Sequence, residues 1–290
     1  MYPTDPIRTT QHIRLMTELK TLYLQAEVNA DLKKILLDRL QRYSRLLLGK
    51  PDHSHVQEVQ PNYFSKHRIA IYTAIFGSVD EIHEPIFVPD NCDFFIFTDQ
   101  PVRPDSSWQV MTTERIPAEI AQNQILANRY VKMFPDRFFP EYAYTIYLDG
   151  KFQARTDLTE FIQDMPAQGL RMFRHPLRHC VYDEIETCIK LGKGSAEELR
   201  AHAKHLHSSG MPVKYGMLEG GFIVRQTGNP NCQALMAEWW QEFLHYSKRD
   251  QVSLPFVLWN HQIATADLAI KDMGIWTNPA IKKWPHNKKK

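Results

Sequence analysis

Cysteine is scarce and scattered in this chain. Cys92, Cys180, Cys188 and Cys232 form no CxxC pair, which argues against a zinc knuckle and a disulfide framework and fits a reducing compartment. Long apolar runs are also lacking. No stretch approaches the length of a membrane span and no charged and apolar N-terminal signal region is present. The expectation is therefore a soluble, cytoplasmic protein with at most peripheral contact with the inner face of the membrane. An excess of one charge is missing too: 35 Lys and Arg stand against 33 Asp and Glu, a net charge of +2. That balance gives no argument for a nucleic acid partner. Lys282, Lys283 and Lys288 to Lys290 are a local exception, read first as a solubilising tail. Internal repeats and low-complexity segments are absent.

The chain does have ample core-forming material. With 290 residues, 43% hydrophobic and 11% aromatic, it can bury one full-sized domain and carry an appendage. Apolar residues recur at three- and four-residue spacing from Ile13 to Leu47, which predicts an amphipathic helical extension over 1–50, able to pack or to oligomerise. Residues 51–67 turn polar and irregular and read as a linker. The main domain is expected over 68–290.

That domain opens with an apolar strand, Arg68 to Phe76, ending at Gly77. A second strand, Asp93 to Thr98, ends at Asp99. A helical stretch around Ala118 to Phe134 follows, and then a strand within Tyr142–Gln153 that stops at Asp149. Alternating strands and helices predict a mostly parallel central sheet, flanked by helices. The carboxyl ends of parallel strands share one edge, so Gly77, Asp99 and Asp149 should face a common crevice, as at a nucleotide site. Taken alone, Asp149-Gly150 is equally well a turn.

Other segments carry chemistry-bearing residues. Arg129 and Lys132 are three apart, on one helix face, and a fork of guanidinium donors beside a compact ammonium suits a diphosphate. The segment from Arg174 to Glu184 crowds His175, Arg178 and His179 with two acids, a density that is hard to bury without purpose. His202, His205 and His207 read as a solvated helix face. Glu219 precedes Gly220 and Gly221 at the start of a strand, where a ligand approaches backbone closely. Asp250-Gln251 is a pair suited to hydroxyl groups.

Taken in order, YTAIFG, FIFTD, NRYVKMFPDRFFPEY, YTIYLDGKFQ, FRHPLRHCVYDE, LEGGFIVRQ, WW and KRDQVSLPFVLW resemble the glycosyltransferase-like family of plant mucilage and pollen-tube proteins and their bacterial relatives, over roughly Ile69 to Trp259. The resemblance implies a single α/β domain of GT-A type that binds a nucleotide-sugar donor at the carboxyl ends of the first strands. It implies that Tyr72, Thr73, Ala74 and Gly77 contact the nucleoside, with Asp99 near the base or ribose. Arg129 and Lys132 would address the diphosphate, and Asp149 would open the metal-binding DxD motif. Glu219, Gly220 and Gly221 would line the donor sugar or the acceptor, and Asp250 with Gln251 would close the site. His175 and Arg178 are further candidates for acceptor or phosphate contact.

Lys151 departs from the pattern, standing where DxD places its second carboxylate. A lone Asp149 holds Mn2+ or Mg2+ only with help from other ligands, whereas Lys151 itself offers a positive charge to a diphosphate leaving group. The expected reaction moves a sugar from a nucleotide-diphosphate donor to a hydroxyl of a glycan or glycolipid acceptor, in surface polysaccharide synthesis. Asp250 or Glu219 would be the base if the configuration inverts. The rivals are a non-catalytic nucleotide-sugar-binding scaffold and a phosphohydrolase, whose Asp-x-Asp motif on the first strand is not matched.

Overall fold

Alternation along one strand divides the domain into two cores. In the computed structural model, which describes residues 67–285 apart from 78–79 and 272–273, strand β1 (Ile69–Ile75) is buried at all seven positions. Ile69, Ile71 and Ile75 feed the core on one face, and Ala70, Tyr72 and Ala74 the core on the other. A strand covered on both faces has to be apolar almost throughout, which is how it reads in the sequence. The helical extension over 1–50 and the linker, save His67, lie outside the described residues.

β2 (Cys92–Thr98) and β3 (Trp108–Val110) come next in the chain. The helical stretch expected over 118–134 is two helices, α1 (Ala118–Ala121) and α2 (Gln124–Met133). Asn123 breaks it, because its side-chain oxygen accepts from the backbone N–H groups of Ile125 and Leu126 and starts a new helix. The chain continues through β4 (Tyr144–Leu148), β5 (Phe152–Ala154), β6 (Leu170–Arg174), α3 (Val181–Lys190) and α4 (Ala196–Ser208). It ends with β7 (Leu218–Gln226), α5 (Pro230–His245), α6 (Asp250–Asn260), α7 (Thr265–Leu268) and β8 (Ile281–Lys283).

Six strands form one sheet in the order β3-β2-β1-β4-β7-β6. β3, β2, β1 and β4 run parallel, and β7 is antiparallel to both of its neighbours. The predicted mostly parallel sheet is therefore present, and the ends of β1, β2 and β4 do share one edge. On one face, α2, α5 and α6 pack against the core built around Trp239. The other face is covered by the two-stranded ribbon of β5 and β8 and by a 3-10 turn at Thr159–Ile162. Neither that ribbon nor β3 is foreseen from the sequence, since each strand has three residues, too few to show periodicity.

β7 reaches the carboxyl end of β4 from the opposite direction. Leu148 pairs with Phe222, and the Asp149 N–H donates to the Gly221 carbonyl at 2.8 Å. On its other side, Met172 of β6 pairs with Ile223, but the next β6 residue, Phe173, pairs with Glu219. Gly220, Gly221 and Phe222 thus bulge past β6, and the glycine pair is offered to the sheet edge.

A buried arginine locks this arrangement. Arg225 of β7 is 2% exposed. It donates to the Tyr72 hydroxyl at 3.1 Å and to the Lys132 carbonyl at 2.8 Å. Tyr72 also donates to that carbonyl, at 3.1 Å. A positive group at the C-terminal end of α2 meets the negative end of the helix dipole and ties β1, β7 and α2 together at one atom. Replacing Arg225 by Met should cost about 2–4 kcal/mol, the scale of lost charge-assisted hydrogen bonds. Urea denaturation midpoints measure this, and a change under about 0.5 kcal/mol would show that the clamp is not structural.

Candidate active site

Six charged side chains from four segments, α2, the turn after β4, β7 and α6, meet beyond the carboxyl end of β4. Lys132 Nζ lies 2.5 Å and Arg129 Nε 3.0 Å from Asp250 Oδ2. Lys151 Nζ lies 3.2 Å from Asp149 Oδ2 and 3.7 Å from Glu219 Oε1. The cluster is layered. The Lys132 and Asp250 side chains are 2% and 8% exposed, while Asp149, Arg129 and Lys151 keep roughly a fifth of their surface in solvent.

Local structure explains each position. Arg129 and Lys132 are one turn apart on α2, so both reach the same carboxylate. Asp250 begins α6, where negative charge is favoured by the helix dipole, and the Trp239 indole N–H holds its carbonyl at 2.9 Å. Asp149 follows β4, and Tyr147, two residues earlier on the same strand face, donates its hydroxyl to Asp149 Oδ1 at 2.9 Å. The glycines are the floor. A Cβ on Gly220 would come 3.0 Å from Lys132 Nζ, and one on Gly221 would come 2.5 Å from the Phe152 ring and 3.1 Å from the Asp149 and Glu219 carboxylates. Gln251 closes the side, accepting from the Gly220 N–H at 3.1 Å and donating to the Leu218 carbonyl.

The charges set one another's protonation. Burial opposes the Asp149 carboxylate, but Lys151, then Lys132 and Arg129, outweigh it and hold its pKa at about 2. Burial opposes Asp250 as well, yet Arg129 and Lys132 push its pKa well below the usual carboxylate range. Glu219 goes the other way. Burial raises its pKa, and Lys151 offsets this only in part. Glu219 is therefore the carboxylate of the three best disposed to accept a proton.

This donor set does not fit a divalent ion. The space between Asp149 and Glu219, where such an ion would want oxygens, is bridged by the Lys151 ammonium, and the second oxygen of Asp149 is taken by Tyr147. Among the described residues, no three His, Cys, Asp or Glu side chains are disposed to hold a metal.

The remaining candidates divide. Gly77 and Asp99 do meet, at the ends of β1 and β2. The Gly77 N–H donates to the Asp99 carboxylate at 2.8 Å, Gln124 donates to it at 3.1 Å, and Gly77 has the positive φ of 71° that glycine tolerates. Tyr72, Thr73 and Ala74 are buried strand residues with side chains in the two cores. The Tyr72 hydroxyl is occupied by Arg225 and the Lys132 carbonyl, and the Ala74 carbonyl accepts from Asn128 at 2.6 Å. His175 accepts at Nδ1 from the backbone of Leu177 and Arg178, organising the turn before α3, and burial lowers its pKa to about 4. Arg178 pairs with the buried Glu184. The histidines of α4 divide: His207 is exposed as expected, His205 is half-buried, and His202 departs from a solvated face. His202 is fully buried and bonds Ser247 at 2.9 Å and Glu242 at 3.0 Å, an acid supplied by α5 from far along the chain. Tyr147 and Gln124 are the site residues that sequence reasoning missed. The i−2 spacing of Tyr147 from Asp149 was the available signal for the first.

This α/β domain is of glycosyltransferase-like class. The chain belongs to the TOD1/MUCI70 glycosyltransferase-like domain family, whose model matches residues 49–273. No curated protein matches it. Among solved structures it is similar to a chain described as the apo structure of the bifunctional glycosyltransferase WbbM, with 12% identity and a TM-score of 0.40 over 67% of this chain and 38% of that one. Among the described residues, no helix is long and apolar enough to cross a membrane.

Two outcomes test the cluster. Gly221→Ala should destabilise the fold by about 1–3 kcal/mol, since Phe152 is a core ring that cannot yield, and should cost more than Gly220→Ala, whose Cβ comes 3.0 Å from Lys132 Nζ and into ordinary contact with Asp250 and Gln251. Equal costs in denaturation would contradict the floor described. Stability should also fall with acid. The lowered pKa values of His175, Asp149 and Asp250 each mean that the unfolded chain binds more protons, so stability is lost first from about pH 6.5 toward 4 and then toward 2, with Glu219 opposing. Denaturation across this range measures it, and a flat profile would refute the assignment.

Proposed function

We propose that this domain transfers a sugar from a nucleotide-diphosphate donor to a hydroxyl of a glycan or glycolipid acceptor, and that cationic side chains rather than a metal ion take the diphosphate. The observation that carries this reading is Lys151 standing between Asp149 and Glu219 at the edge where β1, β2 and β4 end. A nucleoside lies near Gly77 and Asp99, and its diphosphate extends toward Arg129, Lys151 and the buried Lys132. The acceptor oxygen attacks the anomeric carbon as the bond from that carbon to the phosphate oxygen breaks. The leaving diphosphate keeps the electron pair, and the three cations stabilise its added charge inside a site that excludes most water.

Glu219 takes the proton of the acceptor hydroxyl, and the single displacement opposite the leaving diphosphate inverts the anomeric carbon. Burial makes it the better proton acceptor, while Asp250, doubly paired and driven strongly acidic, positions Arg129 and Lys132 instead. Asp149 orients Lys151. Gly220 and Gly221 let Lys132, Asp149 and Glu219 close against the backbone, and Gln251 fixes their edge. An acceptor bound in the same crevice has its hydroxyl over Glu219.

Thermal shift with a panel of nucleotide sugars, followed by turnover, tests this. One donor should raise the melting temperature in the presence of a chelator. Lys151→Ala should remove that shift, and Glu219→Gln should keep it while cutting turnover by about a hundredfold or more. Turnover abolished by chelation and restored by Mn2+ would overturn the cationic reading. Binding without turnover would favour a nucleotide-sugar scaffold.

A further inference from the structure

One uncharged side chain touches both halves of the ion cluster. Tyr147 of β4 is fully buried. Its hydroxyl donates to Asp149 Oδ1 at 2.9 Å, and its ring carries the Lys132 ammonium 5.4 Å from the centroid. Each of these partners has a second attachment. Asp149 turns its other oxygen to Lys151 at 3.2 Å, and Lys132 meets Asp250 at 2.5 Å. Tyr147 thus stands between the group of Asp149, Lys151 and Glu219 and the group of Lys132, Arg129 and Asp250.

The core, and not the site, fixes where that hydroxyl lies. The Tyr147 ring packs 5.3 Å from the Tyr72 ring, inside the core built around Trp239, and Tyr72 is itself clamped by Arg225. Burial, reinforced by the Asp149 charge, raises the Tyr147 pKa well above its ordinary value, so the hydroxyl keeps its proton and remains a donor. A carboxylate with one oxygen held by a locked donor cannot turn freely, and its other oxygen stays directed at Lys151. The fold has little need of the hydroxyl. Its one acceptor among the described residues is Asp149, a site residue, and a phenylalanine would fill the same space in the core.

We propose that Tyr147 is a positioning residue: acting through Asp149, it holds the Lys151 ammonium in place for a nucleotide diphosphate without touching the ligand itself. This rests on the transfer reading given above. A cation held in advance has no reorganisation to undergo as charge develops on the leaving diphosphate, and a lysine on a flexible stem reaches that state only if its partner is fixed. Glu219 alone, 3.7 Å from the Lys151 ammonium, is the looser of its two partners. The closer one is the carboxylate that Tyr147 orients.

Two measurements on the full chain test this: calorimetry with uridine and guanosine diphosphates in the presence of a chelator, and acetylation of lysines by acetic anhydride read by mass spectrometry. Tyr147→Phe should weaken diphosphate binding about tenfold, the scale of one lost charge-assisted hydrogen bond. It should also acetylate Lys151 several-fold faster, while Lys132 stays as protected as in wild type and the urea midpoint moves little. Asp149→Asn leaves Tyr147 an acceptor but removes the charge facing Lys151, and should weaken binding and expose Lys151 in the same way. Full affinity in Asp149→Asn overturns the proposal even if Tyr147→Phe does not fold. Wild-type affinity and Lys151 reactivity in Tyr147→Phe would overturn it as well. So would faster acetylation of Lys132 alongside Lys151, which marks a loosened core and a merely structural role. Wild type that binds a diphosphate no more tightly than Tyr147→Phe does defeats this proposal alone, whereas wild type that binds neither diphosphate defeats the transfer reading itself.

Discussion

A buried lysine against a buried aspartate sets the terms for the rest of the molecule. Removing the Lys132 ammonium and the Asp250 carboxylate from water costs several kcal/mol for each, and their attraction offsets this only where geometry and further hydrogen bonds are good. The surroundings supply both. Arg129 adds a second cation to the same oxygen, Trp239 holds the backbone of Asp250, and Arg225 with Tyr72 holds the backbone of Lys132. Each of these groups belongs to a different element of the sheet or of its helical layer. The pair therefore couples the position of α2 to those of α6 and β7.

The same pair crowds Gly220, the first of two glycines near the start of β7, and Phe152 with Asp149 crowds the second, Gly221. The strand passes so close to Lys132, Asp149 and Phe152 that side chains there would collide with them, and the bulge against β6 brings this stretch to the sheet edge. Glu219 enters with it. Its carboxylate meets Lys151 from one side while Asp149 meets it from the other. The cluster has as many cations as carboxylates, so a dianionic ligand arriving here competes with Asp149, Glu219 and Asp250 for the three cations.

Much of this was legible in the sequence, for identifiable reasons. The apolar runs of β1, β2 and β4 and the acids that end them are local signals, and parallel order then brings the ends together. Arg129 with Lys132, Glu219 before its glycine pair, and Asp250-Gln251 were each recognisable as short motifs, and they do assemble. Other features were hidden because they depend on contacts between distant segments. Tyr72 looks like a ligand-facing residue until Arg225, two strands away in the sheet and far along the chain, occupies its hydroxyl. His202 looks solvated until Ser247 and Glu242 close over it. The ribbon of β5 and β8 is made of two strands of three residues each, well over a hundred residues apart, and no window of sequence contains it.

The central claim is that side-chain cations stand in for a metal ion at the diphosphate. Phosphorus NMR of a bound nucleotide diphosphate during titration with Mn2+ tests it most directly, since a paramagnetic ion coordinated to the phosphates broadens their resonances at once. The account predicts bound phosphorus signals that Mn2+ leaves sharp at concentrations that broaden those of the free nucleotide. Bound signals that broaden with a saturable, site-like dependence on Mn2+ would contradict it.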